Sequence, residues 1–159
     1  MTHITKLNNP YERTTNMHEL SLSSSQAVSS GDVIKFDTLR STSSGGVANN
    51  SSTGEITLSS NYRYTLIASL DIERASTTDD VRVAFFDGAT EITPANGGFD
   101  ATWEYHSSGS ATGQPNSTLQ AWYTPDGAAA SPVTLKVFDV SANSTINTSM
   151  TILILEVEQ

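Results

Sequence analysis

Between Tyr62 and Glu73 the side chains alternate in character along the chain. Tyr64, Leu66, Ala68, Leu70 and Ile72 share one phase, and Arg63, Thr65, Ser69, Asp71 and Glu73 share the other. Successive side chains of a strand point to opposite faces, so this period predicts an extended strand with one buried face. A helix would spread the same charges around its circumference. A sheet with a core on one side is therefore the first requirement on the fold.

Shorter runs repeat the pattern. Ile34, Phe36 and Thr38 alternate with Lys35, Asp37 and Leu39, and Val81, Val83 and Phe85 lead into the turn Asp87-Gly88. Ala101 to Tyr105 is a weaker strand with Trp103 and Tyr105 in one phase. Leu119, Ala121 and Tyr123 precede the turn Pro125-Asp126-Gly127, and Val133, Leu135 and Val137 alternate with Thr134, Lys136 and Phe138. Met150 to Val157 differs, because Ile152, Leu153, Ile154 and Leu155 are apolar in both phases. Such a strand is buried on both sides, or turns one side to another subunit. Roughly eight short strands with turn residues between them predict an all-β chain, an antiparallel β-sandwich or jelly roll.

Composition agrees. The 159 residues fit one domain, and 23 Ser and 21 Thr compete with a helical backbone for hydrogen bonds. A net charge of −9 argues against nucleic acid or an anionic membrane surface as partner. No apolar run is long enough to span a bilayer. The absence of cysteine removes disulfides and thiolate chemistry. The first ten residues carry no apolar signal core, so synthesis in the cytoplasm without a signal peptide is expected. The Asn-x-Ser/Thr matches at Asn49, Asn50, Asn116, Asn143 and Asn147 are by-products of this composition.

The pattern divides the chain near Gly31. Residues 1–30 read as an extended arm ending in a Ser-rich linker, and residues 31–159 as the β-sandwich. The arm is either a disordered tail or a segment that orders on a partner, with Ile4, Leu7, Tyr11, Met17 and Leu20 as sparse apolar anchors.

Catalytic and metal chemistry find little support. His3, His18 and His106 lie far apart without metal-ligand spacing, and Asp79-Asp80, Asp71 and Glu73 lack the density of a calcium loop. No Gly-x-Ser-x-Gly elbow is present, and Gly45-Gly46 and Gly97-Gly98 lack the lysine of a phosphate loop. No enzyme activity, cofactor or metal is expected. Trp103, Tyr105, Trp122 and Tyr123 fit either the core and subunit interfaces or a sugar-stacking platform.

The run Ser51-Ser52-Thr53-Gly54-Glu55-Ile56-Thr57-Leu58, followed by Tyr62-Arg63-Tyr64-Thr65-Leu66, resembles jelly rolls of the tumour-necrosis-factor and complement globular-head type. Asp80 to Gly88 is similar to that family's next strand and turn, and Thr151 to Val157 to its closing strand. The resemblance covers residues 31–159 and implies a homotrimer, with Ile34, Phe36, Ile152 and Ile154 as core or axis contacts. Small trimers of this kind also resemble the decoration proteins of tailed-phage heads. By that analogy the chain is a virion protein on the outer capsid surface that stabilises contacts between capsomers. The major capsid protein is then its partner, and Ile4, Lys6, Leu7, Tyr11, Arg13 and Leu20 are the arm's binding residues. The alternative is a receptor- or carbohydrate-binding tip of a tail fibre, using the four aromatics.

Overall fold

The computed structural model describes residues 15–41, 46–73, 81–92, 98–100, 102–105, 117–125, 131–139 and 144–158. Fifteen strands are found among them, and no helix. In chain order these are β1 (Thr15–Ser21), β2 (Gln26–Val28), β3 (Thr38–Ser41), β4 (Val47–Asn50) and β5 (Glu55–Leu58). Then follow β6 (Tyr62–Leu70), β7 (Ile72–Glu73), β8 (Val81–Asp87), β9 (Thr90–Glu91) and β10 (Gly98–Asp100). The last five are β11 (Thr102–Tyr105), β12 (Ser117–Tyr123), β13 (Ser131–Asp139), β14 (Ser144–Ile146) and β15 (Thr151–Glu158).

The chain is an all-β jelly roll with antiparallel pairing. One six-stranded sheet has the order β10-β12-β6-β15-β1-β3. The second runs β11-β8-β13-β5-β4, with β9 added against β8, and β2-β14-β7 make a small third sheet. The phases read from the sequence become the two faces of these sheets. Tyr64, Leu66, Ala68 and Leu70 of β6 and Ile152 and Ile154 of β15 point inward. They meet Val83 and Phe85 of β8 and Val133, Leu135 and Val137 of β13 in one continuous core. Full burial of each large apolar side chain contributes about 1.5–3 kcal/mol, so this shared interior is the main stabilising element.

The long alternating run is divided between two sheets. β6 ends at Leu70, and the chain then passes Asp71 to place Ile72 opposite Ile146 in the small sheet. Asp71 makes the transfer: its carbonyl accepts the Asn147 N–H at 3.0 Å, and its carboxylate accepts from Asn147 Nδ2 at 2.9 Å and from the Ser149 hydroxyl. Ile72 stays buried, so the alternation survives although the strand's partners change.

The Ser-Thr-Gly turn before β5 closes over the segment that leads from β2 to β3. Gly31 N–H donates to Val137 O at 2.8 Å, and Ile34 N–H to Leu135 O at 2.9 Å, which lays this segment beside β13. Gly54 has φ of 77°, and a Cβ there would lie 2.5 Å from Val33 Cγ1 and 2.6 Å from Ile34 O. Both the left-handed backbone and the close approach therefore require glycine.

The expected boundary at Gly31 is not where the sheets begin. β1 pairs along its whole length with β15, from Thr15↔Val157 to Ser21↔Thr151, and its other edge pairs with β3. Leu20, Leu22 and Val28 are buried in the core, so Leu20 is not an arm anchor. The Ser-rich stretch is fixed by polar contacts. Ser23 donates its N–H and hydroxyl to Asp37 at 2.9 and 2.5 Å. The Gln26 amide pairs with the Lys35 backbone in both directions, at 2.8 and 3.0 Å. Serine here supplies hydrogen bonds to an ordered turn, as its side chain does in many turns.

Candidate interaction surface

The outward face of the six-stranded sheet gathers large apolar side chains. In the register, Met17 stands opposite Leu155, Leu155 opposite Thr65, and Thr65 opposite Trp122, which makes one row across four strands. The next row is Glu19, Leu153, Ile67 and Gln120. Met17 is 46% exposed and Trp122 54%, while Ile67, Leu153 and Leu155 are half-buried between their neighbours. The rim is charged: Arg40 lies 3.6 Å from Glu19, and Arg63 stands opposite Val157. An apolar centre with a polar rim, on the strands nearest both chain ends, has the anatomy of a protein interface.

Behind this face, at one end of the sandwich, the same strands enclose a polar cluster. Glu156 of β15 and His18 of β1 lie on inward positions of the sheet and are almost fully buried. Glu156 accepts from Asn16 Nδ2 at 2.7 Å and from Gly46 N–H at 2.6 Å, and its Oε2 is 3.5 Å from His18 Nε2. His18 Nδ1 lies 2.8 Å from Ser41 Oγ. The Tyr64 hydroxyl donates to Ser59 O at 2.9 Å and also approaches Gly46 O at 3.3 Å. Burial, aided by the neighbouring Glu156 charge, pushes the Tyr64 phenol well above its ordinary range. Gly46, which leads into β4, is thus held at its N–H and its carbonyl by side chains from the opposite sheet. A Cβ at Gly46 would lie 2.6 Å from the Tyr64 oxygen and 2.7 Å from Ser59 Cβ.

The residues singled out in the sequence fall into separate groups. Ile34, Phe36, Ile152 and Ile154 are all interior, at 1% exposure or less, and so belong to the core of the chain. The outward side of β15 is carried instead by Leu153 and Leu155. Trp122 and Tyr123 are neighbours on β12 and therefore face opposite ways. Trp122 is outward, whereas Tyr123 is buried and its hydroxyl donates to Asp87 Oδ2 at 2.7 Å. The two do not form one platform. Trp103 and Tyr105 belong to β11 of the other sheet, opposite Val83 and Val81 in register. Ile4, Lys6, Leu7, Tyr11 and Arg13 lie outside the described residues.

The buried cluster was missed in the sequence, although one signal for it exists. Glu156 shares the phase of Ile152 and Ile154, and His18 shares that of Leu20 and Leu22, so polar groups interrupt otherwise apolar phases. Among the described residues, no group of three His, Asp or Glu is placed to hold a metal ion. Among them too, no helix is long and apolar enough to cross a membrane.

No protein-family model and no curated protein matches the chain. Among solved structures it is similar to the tumour necrosis factor Eiger from S. frugiperda, with a TM-score of 0.53 and 8% identity over 92% of each chain. It is also similar to the vertex protein P5 of PRD1, with a TM-score of 0.50 and 11% identity over 91% of this chain and 95% of that one. At these identities the likeness defines a class of fold, the tumour-necrosis-factor-type jelly roll.

Proposed function

We propose that this chain is a structural protein of a bacteriophage virion that associates with itself as a homotrimer and decorates the outer surface of the head. The observation that carries the reading is the apolar row Met17–Leu155–Trp122, bounded by charged residues, on the outward face of the sheet built from both chain ends. A surface of that kind is stabilised by covering it with a like surface, and a closed ring of three copies leaves none exposed. The likeness in fold to a phage vertex protein supports a place on the virion, and neither structural neighbour is named for a catalytic activity.

In this reading the trimer presents three copies of the segment that precedes β1. Ile4, Lys6, Leu7, Tyr11 and Arg13 of that segment engage the major capsid protein across capsomer boundaries. A ligand that binds only the assembled shell raises the shell's apparent stability by mass action. The test is immunogold electron microscopy of phage particles with antibody to this chain. Regular label over the heads is expected. Label confined to tail ends would replace this reading with a receptor-binding tip, with the outward Trp122 as a stacking side chain.

A further inference from the structure

We propose that Ser41 is a base-activated nucleophile that accepts an acyl or phosphonyl group on its hydroxyl, with His18 as the base and Glu156 as the group that positions His18. The inference is independent of the capsid reading and rests on three side chains brought together by β3, β1 and β15.

Ser41 ends β3, is exposed, and stands directly opposite His18 in the register. His18 is buried, and its two ring nitrogens have different surroundings. Nε2 has no hydrogen-bond partner among the described residues and faces the Glu156 carboxylate across 3.5 Å, while Nδ1 is 2.8 Å from Ser41 Oγ. A carboxylate attracts the ring N–H, so a neutral His18 carries its proton on Nε2 and leaves its lone pair on Nδ1. The Ser41 hydroxyl then donates to that lone pair. Asn16 Nδ2 and Gly46 N–H hold the carboxylate in turn, at 2.7 and 2.6 Å. Nucleophile, base and orienting acid thus follow one another from solvent to interior, the order that activates serine in unrelated folds. The ring nitrogens exchange their usual roles, which leaves the proton transfer unaltered.

β3 is the outer strand of its sheet among the described residues. An edge strand offers backbone groups to an incoming extended compound. With an activated ester or thioester, Oγ attacks the carbonyl carbon and its proton passes to His18 Nδ1. The bond from that carbon to the alcohol or thiol leaving group breaks, and the leaving group takes the proton from His18. The products are a seryl ester and a free alcohol or thiol. A fluorophosphonate follows the same course, with the O–P bond formed, the P–F bond broken and hydrogen fluoride released.

The experiment treats the full chain with a fluorophosphonate probe and locates the adduct by peptide mass mapping. One adduct is expected, at Ser41 among the 23 serines, absent from Ser41→Ala and from the urea-unfolded chain. His18→Gln should slow labelling on the order of 100-fold. Because that change disturbs a buried cluster, Ser41→Cys supplies an independent readout, as it places a single thiol in a chain with no cysteine. Iodoacetamide should alkylate it roughly tenfold faster than the thiol of Ser52→Cys, an exposed turn position. The proposal is overturned if Ser41 stays unlabelled while its cysteine variant reacts no faster than the Ser52 control.

Discussion

Glu156→Ala removes the centre of the polar cluster, and the cost follows from the geometry. Two short bonds to a charged acceptor are lost, from Asn16 Nδ2 at 2.7 Å and Gly46 N–H at 2.6 Å, and His18 Nε2 loses the carboxylate that faces it at 3.5 Å. Hydrogen bonds to charged groups contribute about 1.5–3 kcal/mol each, which puts the direct loss at about 3–6 kcal/mol. Relief from burying the carboxylate offsets part of this, and removal of one partner from a buried pair costs about 3–5 kcal/mol in general. With a urea dependence of about 2 kcal/mol per molar, the unfolding midpoint should fall by about 2 M. The assay is urea unfolding followed by tryptophan fluorescence and circular dichroism at one fixed protein concentration, since self-association shifts the apparent midpoint. Glu156→Leu combined with His18→Leu should cost less than Glu156→Ala alone, because no buried polar group of that pair is left unmatched. A loss below about 1 kcal/mol for Glu156→Ala would refute the claim that this carboxylate ties the two sheets together.

Gly46→Ala should lower the melting temperature, with a cost of about 1–3 kcal/mol, because its methyl group enters space held by Tyr64 and Ser59. The exposed Asp37 carboxyl is held below its ordinary value chiefly by the Ser23 hydroxyl. Its contribution is therefore present above the ordinary carboxylate range and is lost as pH falls through the lowered value. Urea midpoints of Asp37→Asn and the parent chain should differ at neutral pH and converge in acid. Removal of residues 1–14 should leave β1 and the fold intact yet abolish binding to phage heads in a co-sedimentation assay. Full retention of binding would clear that segment of the role.

The parts of this fold legible in the sequence are those where one phase is uniformly apolar. Tyr64 to Ile72, Val81 to Phe85 and Val133 to Val137 all stand where their alternation places them. In the two-faced run of β15, Ile152 and Ile154 lie inward and Leu153 and Leu155 are half-buried on the outer face, an assignment that the run's composition leaves open. β1 escaped notice for a physical reason. Its inward phase begins with Asn16 and His18, whose burial is compensated by Glu156 and Ser41, residues distant in the chain. The partners that compensate lie far along the chain, so a strand inside the sheet reads as part of an extended arm. The same holds for the passage at Asp71, where partners at Asn147 and Ser149 decide which sheet the chain joins. The outer apolar row is likewise invisible until pairing is known, because Met17, Leu155 and Trp122 are brought into line by register alone.

Self-association through that row is the central claim, and the mass of the native protein in solution tests it most directly. Light scattering should give about 51 kDa, three times the 17.0-kDa chain. Leu155→Glu, which places a charge in the centre of the row and leaves the inward phase untouched, should reduce the mass to that of one chain with an unchanged circular dichroism spectrum. A native protein that runs as a monomer, or a trimer that persists in Leu155→Glu, would contradict the account.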